Sequence, residues 1–166
     1  MRRGALAVAV MFGVSACGGG LVNGLFTRGT LAYRVAEPPE AEWRRMKFED
    51  NDLAWINRSS GHVLAMNALC EGHEDPSLEV LTNHLLIGFT ERKLLSRERL
   101  QLDGREALRS KYRAKLDGVE VGLDLVVLKK NGCVHDFTYV SPAGLEDAHR
   151  QRFDAMLAAF RQERSP

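Results

Sequence analysis

Residues 108–140 constrain the fold of this chain more than any other stretch. They read as three runs of strand-forming residues separated by Asp117-Gly118 and Asn131-Gly132. Asp-Gly and Asn-Gly tolerate positive φ at both central positions, so each marks a hairpin turn. Three consecutive antiparallel strands follow. A two-residue turn at Asp117-Gly118 pairs Leu116 with Val119, Ala114 with Val121, Tyr112 with Leu123, Ser110 with Leu125 and Leu108 with Val127. That face is apolar apart from Ser110. The opposite face sets Lys115 against Glu120 and Lys111 against Asp124, opposite charges directly across the ladder. A slip of one residue would exchange the two faces, so the register is well specified.

The second turn leaves two registers open. A two-residue Asn131-Gly132 turn sets Asp136 and Thr138 beside the apolar face of the middle strand. A three-residue loop, Lys130-Asn131-Gly132 with a glycine bulge, pairs Val127 with His135, Leu125 with Phe137 and Leu123 with Tyr139. The second buries the aromatic rings and is the preferred expectation.

The N-terminus reads as a targeting segment. Arg2 and Arg3 supply positive charge, residues 4–14 form a short apolar core, and Val14-Ser15-Ala16-Cys17 closes it with small residues before a cysteine. This order resembles the bacterial lipobox, which implies acylation of Cys17, removal of residues 1–16 and attachment to a membrane. Gly18 after the cysteine implies the outer membrane, facing the periplasm. Once lipid occupies Cys17, Cys70 and Cys133 remain as an even pair. In an exported chain the leading expectation is a disulfide worth about 4 kcal/mol by loop entropy; two free thiols are the alternative.

Residues 17–29 are glycine-rich and read as a flexible tether, with Leu21, Val22, Leu25 and Phe26 resting on the membrane or on the domain. The folded part is expected over residues 30–162 as a single domain, with 163–166 as a tail. Strands are expected over residues 31–35, 45–49, 53–57, 62–70 and 94–102, the fourth in a central position. Asp75 caps a first helix whose stripe is Leu78, Leu81, Leu85, Leu86 and Phe89. Ser141-Pro142 starts a second, through residue 161, with Leu145, Phe153, Met156, Leu157 and Phe160 on its buried side. The fold class is therefore α+β: an antiparallel meander sheet of about six or more strands covered by two helices.

Tyr33, Pro38-Pro39 followed by Trp43, the strand ending at Cys70, Asp75-Pro76-Ser77-Leu78, Asp103-Gly104-Arg105-Glu106-Ala107 and a closing helix with Phe160 occur in an order that resembles the PsbP-like sandwich. The resemblance spans about residues 30–162. It implies a binding or assembly factor rather than an enzyme, and no photosystem-specific residue carries over.

Chemistry is sparse. There is no Gly-x-Ser-x-Gly elbow, His-Glu-x-x-His, phosphate-cradling glycine loop or Cys-x-x-Cys, and Ser59-Ser60-Gly61 reads as a turn. The nearest metal set is His73-Glu74-Asp75 with His62 or His135-Asp136, but adjacent residues rarely converge on one centre, so neither metal nor cofactor is expected. A Cys70 or Cys133 thiolate beside His135 competes with the disulfide. Lysine and arginine total 23 against 22 aspartate and glutamate, without a long basic run, which argues against nucleic acid. Positive charge is denser over residues 92–115, where Arg109, Lys111, Arg113 and Lys115 share one strand face suited to an acidic partner or anionic headgroups. The sequence thus points to a membrane-anchored envelope lipoprotein that binds an envelope protein without catalysis. A periplasmic carrier of a small ligand or metal is the alternative.

Overall fold

The structure, a computed structural model, describes residues 19–48, 51–72 and 75–163. The chain begins with β1 (Gly20–Val22), β2 (Leu25–Arg28) and β3 (Leu31–Arg34). It continues through β4 (Trp43–Met46), β5 (Leu53–Asn57) and β6 (Val63–Leu69) to α1 (Leu78–His84). Four long strands follow: β7 (Phe89–Leu102), β8 (Arg105–Leu116), β9 (Val119–Lys130) and β10 (Cys133–Pro142). Helix α2 (Arg150–Ala159) and β11 (Arg161–Gln162) end the described chain.

A seven-stranded antiparallel sheet in the order β4-β5-β6-β10-β9-β8-β7 forms the body of the domain. Its meander is made by Asp103-Gly104, Asp117-Gly118 and Asn131-Gly132, all six residues at positive φ, the mirror-image turn that matches strand twist. The first hairpin has the expected register, Leu116 opposite Val119 through Leu108 opposite Val127.

The β9–β10 register differs from the expected one. Cys133 stands opposite Lys130, a two-residue turn, so His135 faces Leu128, Phe137 faces Val126 and Tyr139 faces Asp124. Asn131 and Gly132 sit at φ 48° and 75°, so the tight turn needs no bulge. The aromatic rings are still buried because β9 is covered on both sides: Leu125, Val126, Val127 and Leu128 are all 0% exposed. A strand with two buried faces gives no alternation from which to choose a partner's register.

Each helix covers one face. Leu78 of α1 packs on Leu108, Val127 and Val134, with Leu81 and Leu85 alongside, and Leu86 packs on Tyr112, Leu123 and Leu125. The cap of α1 is Ser77, whose side chain accepts from Val80 N, rather than Asp75, whose carboxylate meets Lys129 Nζ at 2.5 Å. Phe89 lies beyond the helix, at the start of β7, because Gly88 at φ 88° turns the chain. On the other face Phe153, Met156, Leu157 and Phe160 pack on Val126, Leu128, Phe137 and Tyr139. That helix starts later than expected. Ser141 and Pro142 extend β10 opposite Gly122 and Val121, Gly144 at φ 79° makes a turn, and Leu145 is left exposed.

The expected tether is folded from Gly20 onward. Asn23 and Gly24 at φ 49° and 73° turn β1 into β2, and a second small sheet forms in the order β1-β2-β3-β11. Phe26 is 1% exposed and stacks on Tyr33 with ring centroids 4.8 Å apart. Arg28 pairs with the buried Asp52 at 2.7 Å and donates to Ala68 O, which ties this hairpin to β6. Asn23-Gly24 is the same kind of dipeptide as the meander turns, masked in sequence by the surrounding glycines.

Candidate binding surfaces

Cys17, His73 and Glu74 lie outside the described residues. Cys70 and Cys133 are brought together at the ends of β6 and β10, next to the Leu69–Val134 pair, with their sulfurs 2.10 Å apart. The link spans 63 residues of sequence. A loop of that length makes the crosslink worth about 4 kcal/mol through the unfolded chain. Replacing both cysteines with alanine is therefore expected to lower unfolding free energy by about that amount in urea titration; a loss under about 1 kcal/mol would sink the estimate.

The crosslink lines an open cleft of about 490 Å³, walled by Thr30, Glu71, Asn131 and Gln162. Behind it His135 is fully buried, its Nε2 lying 3.2 Å from Gln162 Oε1 and its Nδ1 without a partner among the described residues. Burial outweighs the Gln162 hydrogen bond and pulls its pKa down to about 4, so the ring is neutral near pH 7. The next residue, Asp136, points to the opposite face. Burial, followed by repulsion from Asp52, pushes its carboxyl up to about 7. With both sulfurs in one bond, neither Cys70 nor Cys133 offers His135 a thiolate.

Arg109, Lys111, Arg113 and Lys115, four of the five basic residues of β8, do share a row, on the α2 side of the sheet, but partners meet most of them. Arg109 grips Asp124 through Nε and Nη2 at 2.8 and 2.7 Å, and Nη2 also reaches Asp154 of α2 at 2.8 Å. Its side chain is only 13% exposed and its guanidinium lies over the Phe153 ring, 5.6 Å from the centroid. Hydrogen bonding to Asp124 holds its pKa above the ordinary arginine range. Arg113 lies 3.8 Å from Glu146, and Lys115 pairs with Glu91 at 2.8 Å rather than with Glu120 across the ladder. Lys111 faces Asp124 in register, yet Asp124 is taken by Arg109.

The histidines considered as ligands stand apart. His62 is buried between Ser60 Oγ, 2.7 Å from Nδ1, and Leu145 O, 2.9 Å from Nε2, and it stacks on Tyr139. It occupies the opposite end of the β6–β10 ladder from His135. Ser59-Ser60-Gly61 is turn chemistry as expected, with Asn57 Oδ1 accepting from the Ser59 and Ser60 backbone N–H groups. Among the described residues no group of three or more histidine, cysteine or acidic side chains is placed to hold a metal, and no helix is long and apolar enough to cross a membrane.

One concavity escaped the sequence reading. Beside β4, a cleft of about 420 Å³ is lined by Glu37, Pro38, Glu40, Trp43, Arg44, Arg45, Trp55 and Arg58. Arg45 lies over the Trp55 ring, and the buried Trp43 Nε1–H has no acceptor among the described residues. The signal was present as three arginines flanking two tryptophans within residues 43–58. It was diluted by the intervening acidic turn.

No family model matches the chain, and no curated protein matches it in sequence. Solved structures do share the fold. The solution structure of cyanobacterial PsbP (CyanoP) from Synechocystis sp. PCC 6803 is similar at 14% identity and a TM-score of 0.56, over 94% of this chain and 99% of that one. LpqN, involved in cell envelope biogenesis of Mycobacterium tuberculosis, is similar at 11% identity and a TM-score of 0.57, over 83% and 86%. PA94 from Pseudomonas aeruginosa, a protein of unknown function described as a putative regulator, is similar at 11% identity and a TM-score of 0.51, over 84% and 92%. The antiparallel meander with two helices packed over it is thus a PsbP-like α+β sandwich.

Proposed function

We propose that this chain is a lipid-anchored protein of the bacterial cell envelope, outer-membrane-bound and facing the periplasm, whose domain binds or helps to assemble another envelope component without performing chemistry on it. The observation that carries the reading is the pairing of Cys70 with Cys133 in a chain whose remaining cysteine, Cys17, closes a lipobox-like leader. Crosslinks of this kind persist in oxidising compartments, where such a leader would deliver the domain. LpqN, which shares the fold, is involved in cell envelope biogenesis, and this supports the envelope assignment. The open clefts at Cys70–Cys133 and beside β4 favour a second reading, a periplasmic carrier of a small ligand.

Two measurements test the proposal. Mass spectrometry of the mature protein should show loss of residues 1–16 and acyl groups on Cys17, and Cys17→Ser should release the protein from membranes. Unchanged processing and membrane attachment in that variant would remove the anchor from the reading. Crosslinking in intact cells should then recover a stoichiometric envelope protein. A monomer without partner, stabilised in a thermal-shift screen by a small molecule, would favour the carrier.

A further inference from the structure

Hydrogen-bond register sorts the side chains of the small sheet into two faces. Leu21, Phe26, Tyr33 and Gln162 form one cross-strand row. It turns inward, since Phe26 and Tyr33 are 1% and 0% exposed and Gln162 reaches His135. The neighbouring row, Val22, Leu25, Arg34 and Arg161, therefore projects outward. Val22 is 69% exposed, Leu25 is half-buried, and both arginines are exposed. Glu163 pairs with Arg34, and Asp103 lies within electrostatic reach of Arg161. The Arg161 guanidinium lies on the carbonyls of Ala158 and Phe160 at the end of α2. Two apolar side chains, one of them half-buried, and two guanidinium groups thus share one outward surface.

Chain length places that surface. Gly20, the first residue of β1, lies three residue steps from Cys17, and an extended chain spans at most about 3.5 Å per step, or about 10 Å in all. An acyl group on Cys17 lies in the bilayer, so β1 is held at the headgroup level. That distance is close to the Debye length of about 8 Å, within which anionic lipids attract arginine.

We propose that the outer face of the small sheet, built from Val22, Leu25, Arg34 and Arg161, is the surface this domain lays on an anionic phospholipid bilayer; the proposal rests on acylation of Cys17. The hairpin is then a rigid foot, and the lipid fixes the domain's orientation as well as its location. Thr30 lines the same cleft as Asn131 and Gly132, so the foot lies at that end of β9. The Asp117-Gly118 turn stands at the other end, 12 residues away along β9, or about 40 Å at strand rise.

The test uses the mature lipidated protein in vesicles of phosphatidylethanolamine and phosphatidylglycerol that carry a headgroup quencher. With Cys17 acylated and Cys70 bonded to Cys133, a fluorescent label goes to the one new thiol of Val22→Cys or of Val119→Cys, a site 66% exposed near the far turn. Acylation is first read from the N-terminal mass. The expected result is acylated protein with the label at position 22 quenched severalfold more than at position 119. The difference should shrink when phosphatidylglycerol is replaced by neutral lipid or when Arg34→Glu and Arg161→Glu are combined. Acylated protein quenched equally at both positions overturns the foot and leaves the anchor standing. Shielding of position 22 that appears only with a co-purified protein also overturns it, in favour of a protein interface. An unmodified Cys17 overturns the anchor and the foot together.

Discussion

Arg109→Met is expected to lower the unfolding free energy by about 3–5 kcal/mol, the cost of stripping a buried carboxylate of its cation. Asp124 is 4% exposed at its side chain and receives both Nε and Nη2 of Arg109. Without the guanidinium its charge stays buried and loses that cation. Asp154, the second partner, is 48% exposed, so Asp154→Ala should cost no more than about 1 kcal/mol. Lys111→Met, on the same strand face, should stay within about 0.5 kcal/mol of the parent. Urea unfolding of the three variants separates the cases. An Arg109→Met loss below about 1 kcal/mol would show that Asp124 is solvated after all. Combining Arg109→Met with Asp124→Leu should recover most of the loss, because an apolar pair of similar volume replaces an ion pair at little net cost. Arg109 thus belongs to the packing of α2 on the sheet, and a partner approaching β8 would find Lys111 and the outer parts of Arg113 and Lys115.

The second large effect concerns pH. His135 has a folded pKa of about 4, below its ordinary 6.5, so it contributes stability that is present above 6.5 and lost as pH falls through 4. Asp136 has a folded pKa of about 7, above its ordinary 3.8, so its contribution is present below 3.8 and lost as pH rises through 7. Between these limits the unfolded chain carries its proton on His135 and the folded chain carries it on Asp136. Proton counts are equal, so the two contributions nearly cancel across the window.

Removing one residue exposes the other. Asp136→Asn should make stability climb by about 3 kcal/mol, relative to the parent, from pH 4 to 6.5. His135→Gln should do the reverse, with stability falling by a similar amount, about 3 kcal/mol, from pH 4 to 7. Comparing each variant with the parent at every pH removes the background from carboxylates remote from the two sites, while Asp52, which repels Asp136, stays coupled to it. Variant curves parallel to the parent's would show that neither proton is tied to burial.

The sequence disclosed some parts of this structure and hid others for identifiable reasons. Asp103-Gly104, Asp117-Gly118 and Asn131-Gly132 state their own backbone conformation, because residues that tolerate positive φ are few and two in a row make the hairpin turn. Asn23-Gly24 says the same thing and was overlooked among neighbouring glycines. Phe153, Met156, Leu157 and Phe160 repeat at helical spacing and were legible as a buried stripe. The start of α2 was not, since Ser141-Pro142 suits a strand end as well as a helix start. The candidate surfaces were the least legible part. A basic strand such as β8 reads alike whether its arginines meet solvent or a carboxylate from a distant helix, as Arg109 meets Asp154 of α2.

What the sequence determined by itself is the local and periodic part: the meander, the two helices and the cysteines available for pairing. The tertiary structure alone decided which registers, faces and ends those elements use. Covering β9 on both sides removed the alternation that would have set its pairing with β10, and tight Asn131-Gly132 geometry settled it instead. The N-terminal hairpin gains its order from Phe26 on Tyr33 and Arg28 on Asp52, contacts made across the fold. Turn and helix preferences act within a few residues, whereas burial depends on everything the fold brings near, and no single stretch carries that information.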